Sequence, residues 1–146
     1  KQKQKPANAG PRKPYWTFVS ADGVDIRVGR TSSDNDEVSC NPECRDSADW
    51  WMHAAGCPGS HVVIRYVGDD GPPEETTTDA ALLAAKHSKA TQTGKAKVSM
   101  VRCRQVSKPR GAKPGLVQLS GEVRTVTVCV KDEAARLERL AATKSY

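Results

Sequence analysis

Hydrophobic and polar positions along the chain predict strands first, then one helix, then strands again and a second helix. Tyr15 to Val19 (YWTFV) is an aromatic and β-branched run that suits a pleated surface. Ala21-Asp22-Gly23 reads as a turn, and beyond it Val24, Ile26 and Val28 alternate with Asp25 and Arg27. Together these predict a β-hairpin with one inward face, ended by Gly29-Arg30. Residues 31–47 are polar and turn-rich and predict a loop with room for one short strand. Trp50 to Ala54 and His61 to Val67 predict two further strands joined by the tight Gly56-Cys57-Pro58-Gly59-Ser60 turn. Residues 68–75 (GDDGPPEE) predict an exposed acidic loop.

The period then changes. Thr76-Thr77-Thr78-Asp79 offers N-cap candidates, and the Ala- and Leu-rich run after it repeats apolar positions three and four apart. This predicts a central helix over about residues 79–90, packed closely on the sheet. Val98 to Val106 predicts a strand and Lys108 to Gly115 a basic Pro/Gly loop. Leu116 to Leu119 and Val123 to Val130 predict a closing hairpin turned at Ser120-Gly121-Glu122. Asp132 then caps a last helix over about residues 133–142. The order argues for an α+β fold, a largely antiparallel sheet with both helices laid on it. No internal repeat is visible.

Composition sets the scale. The chain has 146 residues, 37% of them hydrophobic and a single Phe, so one domain with a modest aliphatic core is expected over residues 15–146. Residues 1–14 carry five Lys/Arg and no acid and predict a disordered basic arm. No apolar run approaches the ~20 residues that a membrane helix needs. The amino end has no apolar stretch of the secretory type, and five Cys cannot all pair. A reduced, intracellular protein, cytoplasmic or organellar, is expected.

Charge is uneven. The net is +6, yet residues 31–85 hold two Lys/Arg against eleven acids, while residues 86–146 hold fourteen against four. Such polarity predicts a basic face that attracts polyanions. Candidate contacts lie along the whole chain: Arg30, Asn35, Asp36, Trp50, His53, the Gly59-Ser60-His61 turn, Ser88-Lys89, and Lys108, Arg110 and Lys113. Gly and Ser let a phosphate approach the backbone, Lys and Arg supply charge, and one Trp of the Trp50-Trp51 pair could stack a base. The Gly59-Ser60-His61 turn is expected at the centre of the site. Cys40, Cys44 and Cys57, with His53 and His61 nearby, are candidate zinc ligands, although their spacing matches no standard knuckle. Asp49, His53 and His61 could be drawn as an acid–base set for a metal-dependent nuclease or hydrolase. No phosphate-binding loop, nucleophile elbow or HExxH motif supports catalysis. The acidic residues 68–75 could dock a basic protein partner.

The same residues carry a resemblance. Gly29-Arg30, Asn35-Asp36, Asp49 to Ala54 (DWWMHA), Pro58 to Val62 (PGSHV), Ala80 to Lys89 (AALLAAKHSK), Val106, Lys108, Gly111 and Pro114-Gly115 keep the order of the NFACT-R domain. That domain is shared by NEMF, Caliban, FbpA and RqcH proteins. The resemblance runs from about Tyr15 to Val130. It implies a non-catalytic RNA-binding module tied to the large ribosomal subunit and to ribosome-associated quality control. tRNA or rRNA is the favoured ligand, and DNA the alternative. No cofactor and no membrane are implied, and a monomer is expected. The NFACT-N domain, helix-hairpin-helix elements and coiled coil of the multidomain members do not appear in this sequence, so tail synthesis is not implied; the sequence is similar instead to stand-alone NFACT-R proteins, or to a piece of a longer one. The segment holding Cys40 and Cys44 is not general to the family, and His87 stands where Tyr is common.

Overall fold

The computed structural model describes residues 11–68, 70–89 and 94–146. Most of the expected basic arm, Asp69 of the acidic loop and Ala90 at the end of the expected helix lie outside the described residues. The fold is α+β, as the pattern predicts. A six-stranded antiparallel sheet runs in the order β1-β2-β4-β3-β5-β8, from Tyr15–Val19 (β1), Asp25–Gly29 (β2), Val62–Ile64 (β4), Trp50–Ala54 (β3), Lys95–Arg102 (β5) and Arg124–Cys129 (β8). A second pair, Val106–Ser107 (β6) and Gln118–Leu119 (β7), stands apart.

Alternation along the strands divides the molecule into two cores. On the back of the sheet, Ile26, Val28, Trp50, Met52, Val62, Ile64, Val98 and Met100 meet Ala80 to Ala85 of helix α2 (Glu74–Lys86) and Leu140 of helix α3 (Ala134–Ala141). Alanine on α2 lets that helix lie close to the strands. On the front, Tyr15, Trp51, Val63, Val101 and Cys103 pack under Val38 of helix α1 (Ser32–Cys40) and under Val106, Val117 and Leu119 of the β6–β7 segment.

Strand bounds shift, β4 shortening to Val62–Ile64 and β5 running from Lys95 to Arg102 instead of from Val98 to Val106, and three elements depart further from the sequence reading. The polar stretch expected as a loop contains α1, whose residues are poor helix formers. Thr31 caps it by accepting from the Asp34 N–H at 3.1 Å, and Val38 anchors it in the front core. Helix α2 begins at Glu74, not near residue 79, so the Thr76–Asp79 candidates lie inside it. Its cap comes from another element: Asp22, in the β1–β2 turn, accepts from the Thr76 N–H at 3.1 Å and from the Thr76 hydroxyl at 2.8 Å. The closing hairpin does not form. β7 pairs with β6 and β8 pairs with β5, because Val117 and Leu119 are drawn onto the front core while Val126 and Val128 belong to the back. The Gln105 amide ties the crossing by donating to the Ser120 and Glu122 carbonyls at 2.7 and 2.9 Å.

Helix α3, close to its expected span, is fixed by Asp79 of α2. That carboxylate is fully buried and takes Arg136 at 3.0 Å, Arg139 at 2.7 Å and the Ala21 N–H at 2.8 Å. Among the described residues no helix is long and apolar enough to cross a membrane.

Candidate nucleic-acid interface

The Gly59-Ser60-His61 turn lies between β3 and β4, but its backbone donors are already used. The Ser60 N–H donates to His87 O at 3.0 Å, and the His61 N–H donates to Asn35 Oδ1 at 3.0 Å. The Asn35 amide returns a bond to Gly59 O at 3.2 Å. Gly59 is required by crowding, since a Cβ there would meet Ser88 Cβ at 2.6 Å and its Cα at 2.9 Å. A Cβ on Gly29 would run into Asn35 Oδ1 at 2.0 Å. Gly29, Asn35, Gly59, Ser60 and Ser88 thus form a packed joint between α1, the turn and the end of α2. Asn35 is 7% exposed, which corrects its expected place on a ligand-facing surface.

His61 belongs to the same joint. It is 2% exposed, and Ser39 Oγ lies 2.8 Å from its Nδ1 while also accepting from Trp51 Nε1 at 2.9 Å. Burial first, then the neighbouring His53, lowers its pKa to about 4, against hydrogen bonds to the Asn35 and Gly115 backbones that favour the cation. It is neutral at pH 7 and buried, so it offers no charge to a phosphate. Trp50 is corrected likewise. It is 3% exposed in the back core, with the guanidinium groups of Arg102 and Arg124 over its ring at 4.1 and 4.7 Å, so its faces are taken.

Asp36 and Lys108 serve the loop rather than solvent. Asp36 holds the Lys108 ammonium at 3.1 Å and accepts from the Gly115 N–H at 3.1 Å. Lys108 also donates to the carbonyls of Lys113 and, at 2.8 Å, Leu116. This clamp fixes residues 108–116 beside α1. Arg110 and Lys113 stay exposed on the loop. Arg30 is half-buried, donates to Lys13 O at 3.3 Å and lies 5.4 Å above the Trp16 ring. Lys89 is exposed beyond α2, with its backbone N–H on Pro58 O at 3.2 Å.

The clamped loop forms one wall of a cleft on the front of the sheet. The cleft has a volume of about 260 Å³, and its wall and floor come from Trp51, His53, His61, Ser99, Gly115, Leu116, Val117 and Leu119, with Ala55 and Gly56 at the rim. His53 is half-buried, and burial lowers its pKa, opposed by a hydrogen bond with the Gly59 backbone. Register continues this surface sideways. His53 faces Ser99 across β3 and β5, and Ser99, Lys97 and Lys95 face Thr125, Thr127 and Cys129 across β5 and β8. Lys95, Lys97, Thr125 and Thr127 are exposed. Sequence reasoning missed this lysine- and threonine-bearing strip because it read the strand only from Val98. The Lys95-Ala96-Lys97-Val98 alternation was the available signal.

The other constellations do not assemble. Among the described residues no three His, Cys, Asp or Glu side chains are placed to share a metal ion, so Cys40, Cys44 and Cys57 form no such set. Asp49 is buried and paired with Arg65 Nε at 2.8 Å, and it also accepts from the Asp46 N–H at 2.9 Å, so it is not a partner for the histidines.

The profile of the NFACT protein RNA binding domain matches residues 13–121. The Rqc2 homolog RqcH of Bacillus subtilis (strain 168) is 40% identical over 116 residues, which cover 80% of this chain and 19% of that protein. RqcH of Streptococcus suis (strain 05ZYH33) is 39% identical over 106 residues, 72% of this chain and 18% of its own length. The chain therefore spans about a fifth of the length of these relatives. Among solved structures, the C-terminal part of the fibronectin/fibrinogen-binding protein from Streptococcus suis is similar at a TM-score of 0.77 and 32% identity, over 99% of this chain and 54% of that one. The family match takes in the sheet as far as β5, helices α1 and α2 and the residues of the front cleft, with β8 and α3 beyond it, and the chain belongs to the NFACT RNA-binding domain family.

Proposed function

We propose that this domain binds RNA non-catalytically on the open front of its sheet, with tRNA or rRNA as ligand, in the ribosome-associated quality control that its RqcH relatives suggest. The observation that carries the reading is the exposed strip of Lys95, Lys97, Thr125 and Thr127 running into the cleft beside Arg110 and Lys113. Ammonium and guanidinium groups neutralise phosphates, and threonine hydroxyls can bond phosphate or ribose.

The test is a titration with tRNA, an rRNA fragment and duplex DNA at several salt concentrations. Lys95→Ala with Lys97→Ala should weaken RNA binding and lower the salt slope by about 0.7–0.9 for each phosphate no longer neutralised. An unchanged affinity and slope would refute this placement. Tighter binding of duplex DNA than of either RNA at equal salt would favour the DNA alternative.

A further inference from the structure

We infer that the front cleft takes one unpaired nucleobase, so that the domain prefers RNA with looped-out or single-stranded residues over a continuous duplex. This rests on the RNA-binding reading and specifies what part of the RNA enters. The volume of about 260 Å³ lies just below the ~300–1,000 Å³ of small-molecule pockets, the scale of one heterocyclic base and far below that of a helix. The lining suits a planar, polar-edged ring. Leu116, 56% exposed, and Val117 offer apolar faces. Of the three rings in the cleft, His53 is the one that reaches solvent: its centroid lies 5.8 Å from that of Trp51 and 5.0 Å from that of His61, and those two rings are each only 2% exposed. Burial lowers the His53 pKa, which favours the neutral ring, and the ring nitrogen that does not meet the Gly59 backbone can bond a base edge. The half-buried Ser99 hydroxyl adds a donor and an acceptor.

Charge complementarity commits the occupant to a nucleic acid rather than an apolar side chain. Lys97 and Lys95 continue from Ser99 on the same face, where the phosphates flanking an inserted base would lie. The wall is also held in place before binding. Leu116 follows Gly115, whose N–H bonds Asp36, and its own carbonyl accepts from Lys108. A wall held in advance lowers the ordering cost of binding.

The test compares a short single-stranded RNA carrying 2-aminopurine with a blunt RNA duplex of the same length. The wild-type chain should bind the single strand more tightly and change the 2-aminopurine emission. Leu116→Ala, at an exposed position that the fold does not need, should weaken single-strand binding about fivefold or more, remove the emission change and leave the salt slope and duplex binding unaltered. His53→Ala should act in the same direction, and His53→Phe should restore part of the stacking. Equal losses for single strand and duplex, or no loss with Leu116→Ala, would overturn the base-insertion inference while leaving RNA binding intact. Absence of binding to either RNA at low salt would overturn the RNA-binding reading itself.

Discussion

Asn35→Ala separates a scaffold residue from a ligand contact. In the structure the Asn35 side chain accepts the His61 N–H at 3.0 Å and donates to Gly59 O at 3.2 Å. His61 is 2% exposed, so its N–H would be left buried without a partner, at a cost of about 1–3 kcal/mol. The Gly59 carbonyl sits in a half-exposed turn and would lose a further ~0.5–1 kcal/mol. The truncation also opens space against Gly29, whose backbone is packed on the Asn35 side chain. The expected loss is about 2–4 kcal/mol, a large share of the ~5–15 kcal/mol that holds a domain together. For a chain of this size it corresponds to a fall in Tm of about 5–15 °C. Urea denaturation and thermal melting, followed by the near-ultraviolet signal of the buried Trp51, measure it directly. A variant within about 0.5 kcal/mol of wild type would refute the reasoning. A variant of unchanged stability that loses most of its RNA affinity would return Asn35 to the ligand surface.

Gly59→Ala forces a Cβ to within 2.6 Å of Ser88 Cβ and should cost about 1–3 kcal/mol in urea denaturation; a neutral substitution would mean the turn is not packed on the α2 terminus. Asp79→Ala removes the anchor of both arginines and the partner of the Ala21 N–H, and should cost about 2–3 kcal/mol, because Arg139 is 40% exposed and Arg136 keeps Glu75 and Glu133; an unchanged melt would show that α3 docks by apolar contact alone. His61 has a folded pKa of about 4 against 6.5 when free, so between these values the unfolded chain takes up a proton that the fold refuses. Stability should therefore fall as pH drops from 6.5 to 4, by about 3 kcal/mol at the lower end, with His53 and His87 acting in the same sense and the buried Asp49 carboxyl in the opposite one. A flat stability profile between pH 7 and 5, or an imidazole titrating near 6.5 by NMR, would refute that burial.

The sheet was legible because its strands follow the rule of two. Ile26 and Val28, Trp50 and Met52, and Val62 and Ile64 reach the back core, while their neighbours turn to the front. Helix α1 was not legible by apolar periodicity, since Val38 is its one large aliphatic residue. The readable trace was Thr31 followed three residues later by Asp34, the spacing of a helix start. The onset of α2 carries two competing signals. Thr76 and Asp79 have N-cap chemistry, but the Pro73-Glu74-Glu75 run, with acids in the first turn, marks the real start. The cap that completes it comes from Asp22, more than fifty residues earlier, and no local window contains it. The false hairpin has the same origin: local pattern shows that 116–119 and 123–130 are extended, and only the two cores decide that they pair with different partners.

For the interface, the difficulty is that a phosphate cradle and a tight internal joint use the same residues. Glycine admits close approach to a phosphate, and equally to Ser88; Asn and Ser bond a ribose, and equally a buried backbone N–H. Gly59, Ser60, His61 and Asn35 therefore looked like a ligand site in sequence and fold into a joint. Lys108 looked like a phosphate contact and is spent on Asp36 and two carbonyls. What distinguishes the two uses is strand register. Once His53 is known to face Ser99, and Ser99, Lys97 and Lys95 to share a face with Thr125 and Thr127, the polar strip follows from the period of two. The joint and the strip then have linked roles. The Asn35–His61 and Asn35–Gly59 bonds hold the turn that carries His61, and the Asp36–Lys108 clamp holds the loop that carries Gly115 and Leu116, all three lining the cleft. Leu116 and His53 line the same cleft, and the loop that carries Leu116 is held by Asp36 and Lys108, residues once expected to touch RNA.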